Sequence, residues 1–190
     1  MTTDVELALS PAVTYERLAR ARASGDAAAV AGRLALALLL IGTSVAVAAT
    51  DRVSLELVVT IGLSWSFAVA VQAVAAAAVI LPARARTVTA LRAFELWFQA
   101  HVPWSLWFLL SPMFFAIVGF RIPDKILIAT ALVPLVWTGV LLNAFARRVL
   151  GSPRPAVVTA VHQAVLWGLA LCYAAFAIGG WDRVLDEIGL

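Results

Sequence analysis

Two histidines are the residues of this chain best suited to chemistry. His101 and His162 are its only imidazoles, and each lies inside a long apolar stretch rather than in a polar loop. A neutral imidazole carries one donor and one acceptor nitrogen and is a common metal ligand. Two of them at matched depth in a membrane can share a haem iron, or each can hold a separate pigment such as a (bacterio)chlorophyll, or a metal. Trp97, one helical turn before His101, and Trp104 just after it would wall such a group. The competing expectation is a polar contact between two helices, because no ligand-spacing motif surrounds either histidine.

The remaining polar groups point away from catalysis. Glu56 and Glu95 stand near the ends of apolar stretches, and Arg92 precedes Glu95 by three residues, the spacing of a helical ion pair. Gln99 follows one turn beyond Glu95. Deep in the apolar stretches, Gln72 and Asn143 are the strong polar groups besides the histidines. An ion or proton pathway through a membrane is built on buried carboxylates, and none sits at mid-stretch, which reads against an ion-coupled transporter. There is no Gly-rich phosphate loop, no His-Glu-x-x-His and no Gly-x-Ser-x-Gly. The sequence therefore nominates no catalytic residue, and the expectation is a protein that is not an enzyme and carries no cofactor outside the histidine alternative.

The elements that must position these residues are membrane helices. The 190 residues are 63% hydrophobic and only 13% charged, with a mean hydropathy of +0.98. A soluble domain carries about 25% charged residues, and roughly 20 apolar residues cross a bilayer core. Five apolar stretches, at 27–49, 55–81, 94–120, 126–146 and 156–180, read as spans of an all-α bundle. Ala46-Val47-Ala48 resembles a signal-peptide cleavage site, but the apolar run begins too far along for an ordinary secretory signal. Pro103 and Pro112 make the third stretch either one bent span or an interfacial helix followed by a shorter span. Span two is longer than the hydrocarbon core requires, so it should tilt or protrude.

Residues 1–26 form a separate segment. Ser10-Pro11 reads as a helix start, and the helix through about Arg22 sets Val13, Tyr15 and Leu18 among arginines, a pattern suited to lying along anionic headgroups. The membrane domain would be 27–181 and a short polar tail 182–190, with Trp181 an interfacial anchor.

All fourteen Lys and Arg residues except Arg52, Arg121, Lys125 and Arg183 precede the first span or fall near its start, or lie in the second and fourth connections. Such loops stay inside, so Arg84, Arg86, Arg147 and Arg148 set a topology with a cytoplasmic amino terminus and an external carboxyl terminus. This asymmetry accounts for the net charge of +3 and pI of 9.8 without nucleic acid. Among the seven tryptophans, Trp97, Trp104 and Trp181 suit the headgroup belt and the others lie deeper. Cys172 has no disulfide partner. Gly62, Ser66 and Ala70 recur every four residues along span two, the small-residue spacing that lets helices approach closely.

Several stretches together resemble the Yip family of small five-helix membrane proteins: Leu9-Ser10-Pro11 with its amphipathic helix, Ala93-Phe94-Glu95-Leu96, Val102-Pro103, Val136 to Leu142, Arg147-Arg148 and Gly151-Ser152. The resemblance implies a non-enzymatic membrane scaffold, with bacterial members accompanying transport systems. An arginine- and alanine-rich chain with one lysine suits a bacterium. The expected function is a scaffold or subunit of a bacterial inner-membrane complex, in contact with lipid and with other membrane subunits. The alternative is a haem- or pigment-binding subunit using His101 and His162.

Overall fold

The computed structural model describes residues 2–21, 25–50, 52–83, 85–118 and 124–177. Arg84, Trp181 and the tail from 182 lie outside the described residues, as do Arg22, Arg121, Arg183 and the ends of the third and fifth stretches. The helices of the described residues run in the order α1 (Thr2–Leu9), α2 (Pro11–Arg20), α3 (Ala27–Thr50), α4 (Leu55–Ser64), α5 (Ser66–Ile80), α6 (Ala90–Gln99), α7 (Val102–Val118), α8 (Asp124–Arg148) and α9 (Pro155–Ala177). Three of them, α3, α8 and α9, are long and apolar enough to cross a membrane, and the bent pair α4–α5 makes a fourth if it is one span. This is an all-α protein built for multiple membrane crossings.

The stretch 55–81, read above as one span, breaks by 41° at Trp65. Ser64 Oγ donates back to Thr60 O at 2.9 Å, a bond that bends helices, and Gly62 and Ser66 flank the break. Trp65 takes up a conformation near φ −88°, ψ 6° and buries its ring beside Tyr173 at 5.9 Å.

The stretch 94–120 resolves as two helices, α6 and α7, meeting at Ala100-His101. Pro103 is the cause. A helix running on from α6 would need an amide at 103 to bond Gln99 O and would press the proline ring into that turn. The chain instead restarts at Val102, and His101 O accepts from Trp104 N and Ser105 N at 3.0 and 3.1 Å.

Within residues 1–26, α1 and α2 form a helical hairpin. The α1–α2 hairpin docks on one end of the bundle, with Leu7 and Tyr15 fully buried in the main core alongside Ile80, Leu96, Trp97 and Phe145. Trp137 Nε1 donates to Ala8 O at 3.1 Å and Tyr15 Oη to Leu96 O at 3.4 Å. Pro11 opens α2 and Ser10 stands at its N-cap, although its side chain makes no capping bond. Ion pairs ring the joint: Arg33–Asp4 at 3.1 Å, Arg148–Glu16 at 3.8 Å, and Arg17–Glu6. On α2, Thr14, Tyr15 and Ala19 are buried and the helix packs mainly on α8, whereas Val13 stays exposed.

Most of the arginines noted above gather at this end. Arg92 pairs with Glu95 at 2.6 Å, as its spacing predicts, and Arg86 donates to the terminal carbonyls Ile80 O and Leu81 O of α5, where a cation suits the helix dipole. Arg147 and Arg148 end α8 and are exposed. Gly151, at φ +58°, lets the chain leave α8 in a left-handed turn closed by Ser152 N to Ala146 O at 2.9 Å, a conformation that favours glycine.

Candidate functional site

The break between α6 and α7 turns His101 inward, toward α9. There its Nε2 lies 3.0 Å from Nε2 of His162, which is 1% exposed. His101 Nδ1 lies 3.0 Å from Trp97 O. A carbonyl only accepts, so Nδ1 carries a proton. With both rings neutral, His101 Nε2 is then the acceptor and His162 Nε2–H the donor, which leaves His162 Nδ1 as a bare lone pair. That atom is buried with no hydrogen-bond partner among the described residues. Trp97 seals the pair edge-on, its ring centroid 5.1 Å from that of His162. Trp97 and Trp104, assigned from the sequence to the headgroup belt, are interior residues, 0% and 8% exposed.

This pair does not fit a haem held from both faces. Each metal–imidazole bond is about 2 Å long, so an iron between the nitrogens needs about 4 Å and a flat gap for the macrocycle, whereas the two imidazoles bond directly to each other. His162 Nδ1, the remaining lone pair, is buried. Among the described residues no third His, Cys, Asp or Glu joins them in a metal-sized cluster. What the pair does is link α9 to the α6–α7 break.

A second polar chain ties three helices together on the same principle. Tyr173 Oη of α9 and Ser111 Oγ of α7 both lie 2.6 Å from Ser44 Oγ of α3, and Ser111 Oγ is 3.5 Å from Phe108 O. Each hydroxyl has one proton to give. The chain can therefore run Tyr173 to Ser44 to Ser111 to Phe108 O, the carbonyl whose helical partner Pro112 removes.

The small residues of span two part company at the Trp65 break. Gly62 is buried against Gly42 of α3: a Cβ on Gly42 would overlap Val58 O and come within 3.0 Å of Gly62 N, and one on Gly62 would lie 2.7 Å from Leu38 O. Ser66 and Ala70, beyond the break, are exposed. A longer stripe of the same kind, not singled out from the sequence, runs along α9. Ala156, Ala160, Ala164, Gly168 and Cys172 are all exposed, and open space surrounds the Cβ position of Gly168. The four-residue spacing was legible, but alanine is so frequent in this chain that exposure alone distinguishes this row.

Between α3, α5, α7, α8 and α9 lies a cavity of about 160 Å³. Trp65, Trp104, Trp107, Phe108 and Tyr173 line it, together with Leu135 and Leu166. His101, Gln72 and Trp104 are among its lining residues. Gln72 was noted as a deep polar group, but only the fold shows what it faces. No protein-family model, no curated protein and no solved structure matches this chain.

Proposed function

We propose that this chain is a non-catalytic subunit of a bacterial inner-membrane complex, which crosses the membrane five times and holds other membrane proteins through helix packing. In this reading the arginine-rich end with its α1–α2 cap faces the cytoplasm, following the excess of arginine in the connections there. The α9 stripe is the observation that carries the reading. In lipid, where the hydrophobic effect does not drive helices together, small residues every four positions allow the close backbone approach on which association depends. The Gly42–Gly62 crossing already serves packing inside the bundle, whereas the α9 row is left uncovered. The resemblance to Yip-family proteins points the same way.

The test uses the chain's single cysteine, which lies on the stripe and is exposed. A short thiol-reactive crosslinker at Cys172 in native membranes is expected to trap one defined membrane partner in fixed proportion. Gly168→Leu or Ala164→Leu should abolish that product, while Val74→Leu, on the exposed surface of α5, should leave it intact. A product that survives Gly168→Leu would end the proposal. For the orientation, cysteines placed at 86 or 148 in a Cys172→Ala background should resist an impermeant thiol label applied from outside.

A further inference from the structure

We propose that the groove between α8 and α9 on the outside of the bundle seats one anionic glycerophospholipid, its phosphate on Arg147 and one acyl chain along the groove. The inference rests on α8 and α9 crossing a bilayer, which their length and hydropathy allow, and not on the α9 stripe.

Shape sets the chain. The groove has a volume of about 530 Å³ and runs along α8 from Asn143 to Leu132 and along α9 from Thr159 to Trp167. At about 1.5 Å per residue its course on α8 is about 16 Å long, the depth of one leaflet in a hydrocarbon core about 30 Å thick. Leu132, Val136, Val140 and Trp167 line it and are all exposed, so it opens on the outside of the bundle. Gln163, the polar residue at mid-groove, is turned inward: its Nε2 donates to Leu135 O at 2.9 Å and its Oε1 is buried. Between Leu132 and Val140 a guest therefore meets hydrocarbon, along the direction in which acyl chains lie.

Charge sets the headgroup. Arg147 stands one helical turn beyond Asn143 on the same face of α8. It is exposed and makes no hydrogen bond or ion pair among the described residues, unlike Arg148, which faces Glu16 at 3.8 Å. Arg154, exposed just before α9, adds a second cation at that end. No Asp or Glu occurs between Asp124 and Asp182, so neither helix carries a carboxylate there to neutralise them.

A polar level lies between the cations and the hydrocarbon. Asn143 Nδ2 donates to Thr159 Oγ1 at 3.3 Å, and Thr159 Oγ1 to Pro155 O at 2.9 Å. Both residues are half-buried and line the groove, and the Asn143 amide keeps a second N–H and its carbonyl oxygen for a guest. Cation, amide and hydrocarbon thus follow one another as phosphate, ester and acyl chain do in a glycerophospholipid. A hydrocarbon guest would use only the last level, and a free phosphate only the first.

The test is native mass spectrometry of the whole chain released from nanodiscs of equal phosphatidylglycerol and phosphatidylethanolamine. Preferential retention of one phosphatidylglycerol is expected. Arg147→Gln should weaken retention about tenfold, the factor for one charge-assisted hydrogen bond, and Arg147→Lys should restore part of it. Arg17→Gln, at an exposed arginine of α2, should not change it. Val140→Phe, in the groove, should also reduce retention, whereas Val133→Phe, exposed on α8 outside the groove, should not. Melting curves establish that each variant is folded, and Val136→Phe replaces Val140→Phe if that one is not. Equal retention of the two lipids, retention undiminished by Arg147→Gln or by a folded groove variant, or an equal loss with Arg17→Gln would each overturn the proposal. Displacement by inorganic phosphate, or equal retention of a fatty acid, would do the same. A chain that fails to enter nanodiscs would overturn the membrane-crossing reading as well, whereas one that enters and retains no lipid overturns this inference alone.

Discussion

The Nε2 atoms of His101 and His162 lie 3.0 Å apart, so each imidazole is the other's hydrogen-bond partner across two helices. Removing one ring leaves a buried polar nitrogen alone, which costs about 1–3 kcal/mol. His101→Phe and His162→Phe should each destabilise by that order in a denaturant titration. The double variant should cost about 1 kcal/mol less than the sum, because the second substitution removes the atom the first one orphaned. Purified protein is expected to show no Soret band; an intense band lost in either variant would restore the haem reading.

The Gly42–Gly62 crossing predicts a sharp contrast along one row of small residues. Gly62→Val and Gly42→Val place carbon atoms onto the opposing backbone and should destabilise by about 3 kcal/mol or more, beyond the usual cost of overpacking because a backbone cannot swing aside. Ser66→Val and Ala70→Val, on the exposed surface of α5, should stay within about 0.5 kcal/mol. Unfolding midpoints of the four variants decide it. Equal effects at all four would mean that α4 and α5 form one continuous packed face.

Tyr15 makes the α1–α2 cap sensitive to alkali. Burial, opposed by the positive charge of Arg33, raises its phenol well above the ordinary value near 10. An acid whose pKa is raised by folding gives stability that is whole below the unfolded value and is lost as pH rises beyond it. Protease cleavage of α1–α2 should therefore accelerate above about pH 10. Tyr15→Phe should remove the part of this acceleration due to the phenol while giving up only the bond to Leu96 O, about 1 kcal/mol.

Ser44 sits at the middle of the hydroxyl chain and should be its most sensitive member. Ser44→Ala breaks two bonds of 2.6 Å and is expected to cost about 2 kcal/mol, against about 1 kcal/mol for Tyr173→Phe. The ranking is read from unfolding midpoints. A Tyr173→Phe variant less stable than Ser44→Ala would show that the ring hydroxyl has another role.

The helices and their apolar character were legible because spanning length and hydropathy act locally. The Arg92–Glu95 pair was legible for the same reason, since three residues of helix set its distance. Pro103 allowed either one bent span or two segments, and the choice needed the tertiary partner of His101. The Trp65 break was not legible because its agents, Gly62, Ser64 and Ser66, are common in unbroken membrane helices. The docking of α1–α2 was hidden because an amphipathic helix has the same pattern whether its apolar face meets lipid or protein. The matched depth of the two histidines followed from counting residues along opposed spans, but their contact depends on how α9 packs, which no spacing encodes. The same holds for Gln72 and Trp104, whose common cavity joins α5 to α7.

The cap also constrains the order in which the protein can be assembled. Leu7 and Tyr15 leave the ribosome long before the surfaces that bury them exist: Trp137, which holds Ala8, comes 129 residues later, and Phe145 and Arg148 later still. The hairpin must wait undocked, its apolar side uncovered, until α8 has been made and inserted, so the docking of α1–α2 marks a late step in biogenesis although its residues are translated early.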